Sequence, residues 1–324
     1  MTDEPSSSTT SRHEQDRQPG SGGAADGTTR AAERIVGRRV FLGILGIGAA
    51  AATIAAADGL LSSCEPTPRP TGSRTVAGLL ATAHFSVAHR GCDRSWPEMS
   101  LYAYEKAVEA GFDALELSLA RTADGVWFGL HDDTLDRTSR AVQAKASTMS
   151  WAQVQEYRIL GSNAVDDPSQ PDRPYMRWEE LLDRYYGSHV IFIDPKSALQ
   201  HAGELLTKMN GLAGTPQDRL VCKGYGISGD SRNTTGWARD AADNGYRRWG
   251  YFYGSDMSQL EEYQGRWDIL GMDYSASSSA WSAVRAFGKP VIGHVVPSPA
   301  AADIALAKGA VGVVASDASV HSGR

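Results

Sequence analysis

From residue 85 onward, short apolar runs recur along the chain, each bounded by Gly, Pro or Asp. They fall at 85–89, 113–118, 189–194, 219–223, 247–253, 268–273, 290–295 and 310–316. Apolar runs of this length suit parallel strands buried on both faces. Amphipathic stretches at 99–110, 177–186, 198–211, 234–244, 257–263, 277–287 and 300–308 fill the gaps as helices. One further run, 126–130, follows the second strand after only a few residues. A parallel crossover needs roughly a dozen residues or more. The run therefore folds back as an antiparallel hairpin, turning at Asp124-Gly125. Eight parallel strands remain, the number that closes a (β/α)8, or TIM, barrel. Residues 132–176 contain no clear strand, one helical piece at 150–157 and an Asp- and Pro-rich loop at 165–174. They form an inserted loop and helix segment on the side of the barrel where substrate-shaping caps occur.

The pattern is different before residue 81. Residues 1–36 are rich in Ser, Thr, Gly and charge, and bury too little to offset the entropy of ordering. Arg38-Arg39 followed by Val40-Phe41-Leu42 resembles a twin-arginine export signal, and the apolar run after it ends at Asp58, short for a membrane span. Leu61-Ser62-Ser63-Cys64 resembles a bacterial lipobox, in which small residues admit the peptidase and the thiol accepts lipid. Four segments follow: a disordered 1–36, a signal peptide 37–63, a lipidated Cys64 with a Pro-rich tether to residue 80, and a barrel domain over 81–324. The expected location is the outer face of a bacterial cell membrane. Removing residues 1–63 leaves about 260 residues, close to the roughly 250 of a typical barrel.

Composition narrows the partners. Hydrophobic residues make up 41% of the chain and charged residues 22%, and the formal net charge is -6. No basic bias favours nucleic acid, so a small molecule and, through the lipid, a membrane are the expected partners. The remaining cysteines, Cys92 and Cys222, stand in no C-x-x-C pair; burial as small residues or pairing after export are both open.

Catalytic groups of such barrels sit at the C-terminal ends of the strands. There the chain places His89-Arg90-Gly91, then Glu116 and Ser118 at alternate positions, His131-Asp132 after the hairpin, Asp194-Pro195-Lys196, Lys223, Asp273 and His294. Charge at positions where a core is normally apolar is costly unless it is paired, metal-bound or used.

These residues, with Pro97-Glu98, Leu115-Glu116, Thr122-Ala123-Asp124-Gly125 and Thr134-Leu135-Asp136-Arg137-Thr138, are similar in order and spacing to the signature of the glycerophosphodiester phosphodiesterase family. The likeness is strong over 85–140 and weak over 200–285. It implies metal-assisted hydrolysis of glycerophosphodiesters to glycerol 3-phosphate and an alcohol, the glycerol hydroxyl attacking first to give a cyclic phosphate. In that scheme His89 and His131 are the general acid and base. Arg90 and Lys196 hold the phosphate, and Glu116 and Asp194 bind Ca2+ or Mg2+ through oxygen. Lys223 and His294 are further candidates for substrate contact. Glu98 is either functional or a helix-start acid.

The chain departs from the family at several points. Ser118 stands where the family usually carries a metal-binding Asp, Asp194 where it carries Glu, and His294 where it carries Trp. A hydroxyl is a weak cation ligand, so the metal is expected to bind weakly, completed by water, Asp132 or Asp273, or to be partly replaced by a positive side chain, Lys223 being the candidate. Two other functions stand beside the first: a phospholipase D-like lyase acting on intact lipids, and a catalytically degenerate lipoprotein that binds phosphate esters.

Overall fold

The structure, a computed structural model, describes residues 75–227 and 234–322. The twin-arginine segment and Cys64 lie outside the described residues. Eleven strands are present among those described: β1 (Phe85–Ala88), β2 (Ala114–Arg121), β3 (Trp127–Gly129), β4 (Arg158–Ile159), β5 (Arg173–Pro174), β6 (Val190–Asp194), β7 (Leu220–Tyr225), β8 (Arg247–Phe252), β9 (Ile269–Asp273), β10 (Val291–Val296) and β11 (Gly312–Ala315). Eight of them, all but β3, β4 and β5, run parallel in the order β1-β11-β10-β9-β8-β7-β6-β2. Because β1 also pairs with β2, the sheet closes into a barrel. Each expected strand is present, its ends displaced by a residue or two in most cases. β3 pairs antiparallel with β2, Leu119 opposite Gly129 and Arg121 opposite Trp127, as the short connection demands.

The inward face of the barrel changes character along its axis. Side chains alternate across a strand, so residues two apart share a face. Phe85, Val87, Ala114, Phe192, Val221 and Val314 belong to one apolar cluster, which fills the N-terminal part of the interior. The same alternation then leads from Ala114 to Glu116 and Ser118, from Phe192 to Asp194, from Val221 to Lys223, and from Ile292 to His294, all of them buried. The apolar layer thus supports a layer of charged groups at the C-terminal end. The outward face, with Leu115, Leu117, Ile191 and Ile193, packs under the helices in a separate cluster. Burial on both faces explains why the strands read as continuous apolar runs.

The helices are α1 (Val76–Ala81), α2 (Leu101–Ala110), α3 (Trp151–Val154), α4 (Trp178–Tyr185), α5 (Ala202–Asn210), α6 (Thr234–Asp243), α7 (Leu260–Tyr263), α8 (Ser278–Arg285), α9 (Pro299–Ala307) and α10 (Ser319–Ser322). None of the described helices is long and apolar enough to cross a membrane. α1 corrects the expected tether, which ran to residue 80. Thr75 Oγ1 accepts the Gly78 N–H at 3.1 Å and starts the helix. Val76 and Leu79 then pack with Phe85 and Val87 against the apolar end of the barrel. The insertion over 132–176 is more ordered than a loop: β4 pairs with β5. Phe128, Leu135, Val154, Ile159 and Tyr175 form a small core of their own. Cys92 and Cys222 are buried free thiols, and burial pushes both well above the ordinary thiol pKa.

Candidate active site

The first site residues sit on a sharp turn. β1 ends at Ala88, and the chain then passes through Arg90 (φ 50°), Gly91 (φ 78°) and Cys92 (φ 67°), all left-handed. Such a run is unfavourable for residues with a side chain and needs support from its surroundings. Part of that support is a hydrogen bond from the Arg90 N–H to Glu116 Oε2 at 2.9 Å. Gly91 is required twice over, since a Cβ there would stand 2.8 Å from Ala103 Cβ on α2. The turn holds His89, 7% exposed, at the barrel rim.

Both histidines predicted to act in catalysis have a carboxylate behind them. His89 Nδ1 lies 2.9 Å from Asp93 Oδ1, and His131 Nδ1 lies 2.7 Å from Asp132 Oδ1. A carboxylate only accepts, so Nδ1 carries the hydrogen in each ring and Nε2 is turned toward other chemistry. Burial works to raise the Asp93 pKa, but His89 and Arg90 hold it below the ordinary value. His131 follows the hairpin, fixed by the Leu130 N–H on the Ser118 carbonyl at 3.1 Å. Its imidazole is driven well below its usual pKa, first by burial and then by Arg90, Lys196, Lys223 and Arg137, so it is neutral near pH 7.

A chain of ion pairs ties the two histidine segments together. Arg137 binds Asp132 through Nε and grips both Glu98 oxygens at 2.8 Å. Glu98 lies 3.6 Å from Arg90. Asp132 is thus the orienting partner of His131, and Glu98, 5% exposed, anchors two guanidinium groups. Burial alone raises the Glu98 pKa; Arg90 and Arg137 more than reverse this.

Glu116 and Asp194 come together in the barrel mouth, as expected for neighbours on paired strands, where Ser118 and Asp194 are direct partners. Their surroundings are not those of a metal cage. Glu116 Oε1 accepts from Lys223 Nζ at 2.6 Å and from Ser118 Oγ at 3.1 Å. Asp194 Oδ1 accepts the Lys196 N–H at 3.1 Å, and Oδ2 lies 3.4 Å from Lys223 Nζ and 3.8 Å from Lys196 Nζ. Lys196 Nζ donates to the Tyr251 hydroxyl at 3.0 Å. Burial pushes the Glu116 carboxyl up, but Lys223, His89 and Arg90 hold it down at about 2.

His294 was expected to meet substrate. The structure buries it in the barrel wall, with Nε2 donating to the Phe252 carbonyl at 2.9 Å and the ring against Tyr251 and Tyr253. Asp273 accepts from Ser275 instead of joining the carboxylate pair. Sequence reasoning passed over Asp93 and Tyr251, and named Arg137 only as part of a motif, without a role. Asp93 was legible in principle, four residues after His89 in a tight turn; Tyr251 was not, because it reaches Lys196 only through barrel closure.

The mouth of the parallel β/α barrel thus gathers Arg90, Lys196 and Lys223 with two carboxylate-backed histidines. The profile of the glycerophosphoryl diester phosphodiesterase family matches residues 89–198. It is 32% identical over 139 residues to a probable glycerophosphodiester phosphodiesterase 1 of Mycobacterium tuberculosis, covering 41% of this chain and 50% of that one. It is 29% identical over 147 residues to a glycerophosphodiester phosphodiesterase of Bacillus subtilis, covering 41% and 47%. The chain therefore spans about half the length of the curated relatives it matches. Among solved structures, a glycerophosphodiester phosphodiesterase from Agrobacterium tumefaciens superposes with a TM-score of 0.58 at 17% identity, over 74% of this chain and 100% of that one. A phosphodiesterase of Oleispira antarctica, in complex with the product sn-glycerol-3-phosphate, does so with a TM-score of 0.59 at 17% identity, over 74% and 96%.

The family generally depends on a divalent cation. The described residues contain no group of three or more His, Cys, Asp or Glu side chains placed to hold one. Like unit charges 4 Å apart repel by roughly 4 kcal/mol near a protein surface, and a dication beside an ammonium about twice that. With Lys223 against both carboxylates, these residues do not fit the ion in this arrangement.

Proposed function

We propose that this protein is a phosphodiesterase that hydrolyses glycerophosphodiesters to glycerol 3-phosphate and an alcohol. The observation that carries the reading is the pair of histidines, each backed by a carboxylate at Nδ1, beside Arg90 and Lys196 at the mouth of a barrel matched to this family over 89–198. Arg90 and Lys196 hold the phosphate oxygens. His131, neutral, takes the proton of the attacking glycerol hydroxyl as its oxygen bonds to phosphorus. His89 Nε2 gives a proton to the departing alcohol as its P–O bond breaks. Water then opens the cyclic phosphate with the two roles exchanged.

The test is turnover on a panel of glycerophosphodiesters and intact lipids. His89→Ala and His131→Ala are each expected to lose at least about 10²-fold in kcat with an unchanged circular dichroism spectrum. Near-wild-type activity in either variant removes the two-histidine scheme. Preference for intact lipids with a cyclic product identifies a lyase, and binding of phosphate esters without turnover identifies a degenerate site.

The same reading places the protein at the outer face of a bacterial membrane, anchored through lipid on Cys64. The support is the order of Arg38-Arg39, the apolar run and Leu61-Ser62-Ser63-Cys64. Mass spectrometry of membrane-extracted protein should find diacylglycerol on an N-terminal Cys64. A mature chain that retains residues 40–63 overturns the anchor.

A further inference from the structure

We infer that the Lys223 ammonium occupies the place of a divalent cation in the barrel mouth, so that the site works without a metal. The inference rests on the phosphodiesterase reading above. Three observations carry it.

The first is where Lys223 stands. Its Nζ lies 2.6 Å from Glu116 Oε1 and 3.4 Å from Asp194 Oδ2, touching the same two carboxylates that would otherwise ligate the ion. The side chain is 6% exposed and comes from β7, directly beside β6, so it is a built part of the wall.

The second is the state of the ligands. Both Glu116 oxygens accept hydrogen bonds, one from Lys223 and Ser118 and the other from the Arg90 N–H. Asp194 Oδ1 accepts the Lys196 N–H. Only Asp194 Oδ2 makes no hydrogen bond, and it faces Lys223 and Lys196. A hard cation needs six or more oxygens at about 2.0–2.6 Å, and here it would have to displace an ammonium to gain a second carboxylate.

The third is Ser118. It is the register partner of Asp194 and shares the inward face with Glu116. A carboxylate at this position would add a third negative charge facing Lys223. The hydroxyl instead donates to Glu116 and leaves two carboxylates balanced by Lys223 and Lys196. An ammonium has three N–H donors. With one on Glu116 and one directed toward Asp194, Lys223 has a third for a phosphoryl oxygen, where it offsets charge as the transition state forms.

The experiment uses the wild-type protein after exhaustive metal removal. Turnover of the best glycerophosphodiester is measured with excess chelator and with added Ca2+, Mg2+ or Mn2+, and each ion is also titrated into the stripped protein by calorimetry. Rates within about twofold across all conditions are expected, with no saturable binding below about 1 mM, the weak end of biological calcium sites. Loss of turnover in chelator with recovery on adding an ion overturns the inference, as does saturable binding that Glu116→Gln abolishes. If no diester is turned over under any condition, the phosphodiesterase reading fails, while calorimetry still decides the occupancy of the site. Ser118→Asp combined with Lys223→Gln should convert the protein to one that binds a divalent cation saturably. Failure of a folded double variant to do so argues against Lys223 as the occupant.

Discussion

At the N-terminal end of the barrel, Ser86 Oγ stands 3.1 Å from Asp113 Oδ2 and 3.1 Å from His321 Nδ1. As residue types these match a hydrolytic constellation as well as anything at the other end. Their arrangement does not. Asp113 also accepts the Ser86 N–H at 2.8 Å, so it ties β1 to the start of β2, and Ser86 is 1% exposed. The His321 ring packs at a tilt against Phe112, 5.7 Å between centroids, and fastens α10 beside the start of β2. Nearby, Arg248 and Asp268 join the start of β8 to β9 in a bidentate pair at 2.7 and 2.8 Å. Asp113, Arg248 and Asp268 are thus each satisfied by a partner or by backbone. At the C-terminal end Arg90, Lys196, Lys223 and Arg137 all act on one half-buried imidazole, His131. What separates the ends is the convergence of several cations beside the histidines at the C-terminal strand ends, and residue identity alone does not show it.

The comparison breaks most visibly in activity. Lys196→Met removes a cation proposed to hold the phosphate and should lower kcat/KM by about 10²- to 10³-fold, the usual loss when one charge-stabilising donor is deleted. The melting temperature should change little, because Lys223 still faces Asp194. Arg248→Met at the opposite end should leave kcat/KM within about twofold. Equal losses from the two variants would mean that the ends are not functionally distinct.

A smaller effect, of the opposite kind, is expected from Asp113→Ala. It leaves the buried Ser86 N–H without its acceptor, at a cost of about 1–3 kcal/mol. For a domain of this size each kcal/mol lowers the melting temperature by about 2–4 °C. Thermal unfolding should register the loss while kcat stays unchanged. A fall in kcat at permissive temperature would assign this end a role in the chemistry.

How much of this was legible in the sequence depends on the range of the interaction. The eight strands were, because burial on both faces writes each as an apolar run, and the hairpin followed from chain length alone. α1 was hidden: six residues behind a Pro-rich stretch give too short a periodic signal, and its burial of Val76 and Leu79 depends on the finished barrel. The site divides in the same way. His89, Arg90, Glu116, His131, Asp194 and Lys196 lie in the segment where motif spacing is informative, and all of them reach the C-terminal end of the barrel. Lys223 was read as a substrate contact or as a positive group replacing part of the metal's role, but its place between Glu116 and Asp194 depends on strand register, which no local pattern encodes.

The finest distinction concerns His294, a buried residue of the mouth layer whose Nε2 is held by the Phe252 carbonyl. Burial pushes its imidazole down to about 4, with Lys223 and His89 adding to the effect against opposition from the Phe252 carbonyl and Asp273. In the unfolded chain the same ring titrates near its ordinary value of about 6.5. Between these limits the unfolded state binds a proton that the folded state refuses. Stability from the neutral ring is therefore complete above about pH 6.5 and is lost as pH falls through about 4, by an amount on the order of 3 kcal/mol. Glu116 acts lower: its carboxyl, held at about 2, supports folding above about pH 4.5 and loses that support as pH falls through 2. The two windows barely overlap. His294→Gln keeps a donor for the Phe252 carbonyl and removes the titration. Melting temperatures from pH 7 to pH 4 should fall less steeply for this variant than for the wild type, with kcat at neutral pH reduced far less than in His89→Ala. Parallel curves would mean that His294 does not resist protonation in the fold, and a collapse of kcat would return it to the substrate.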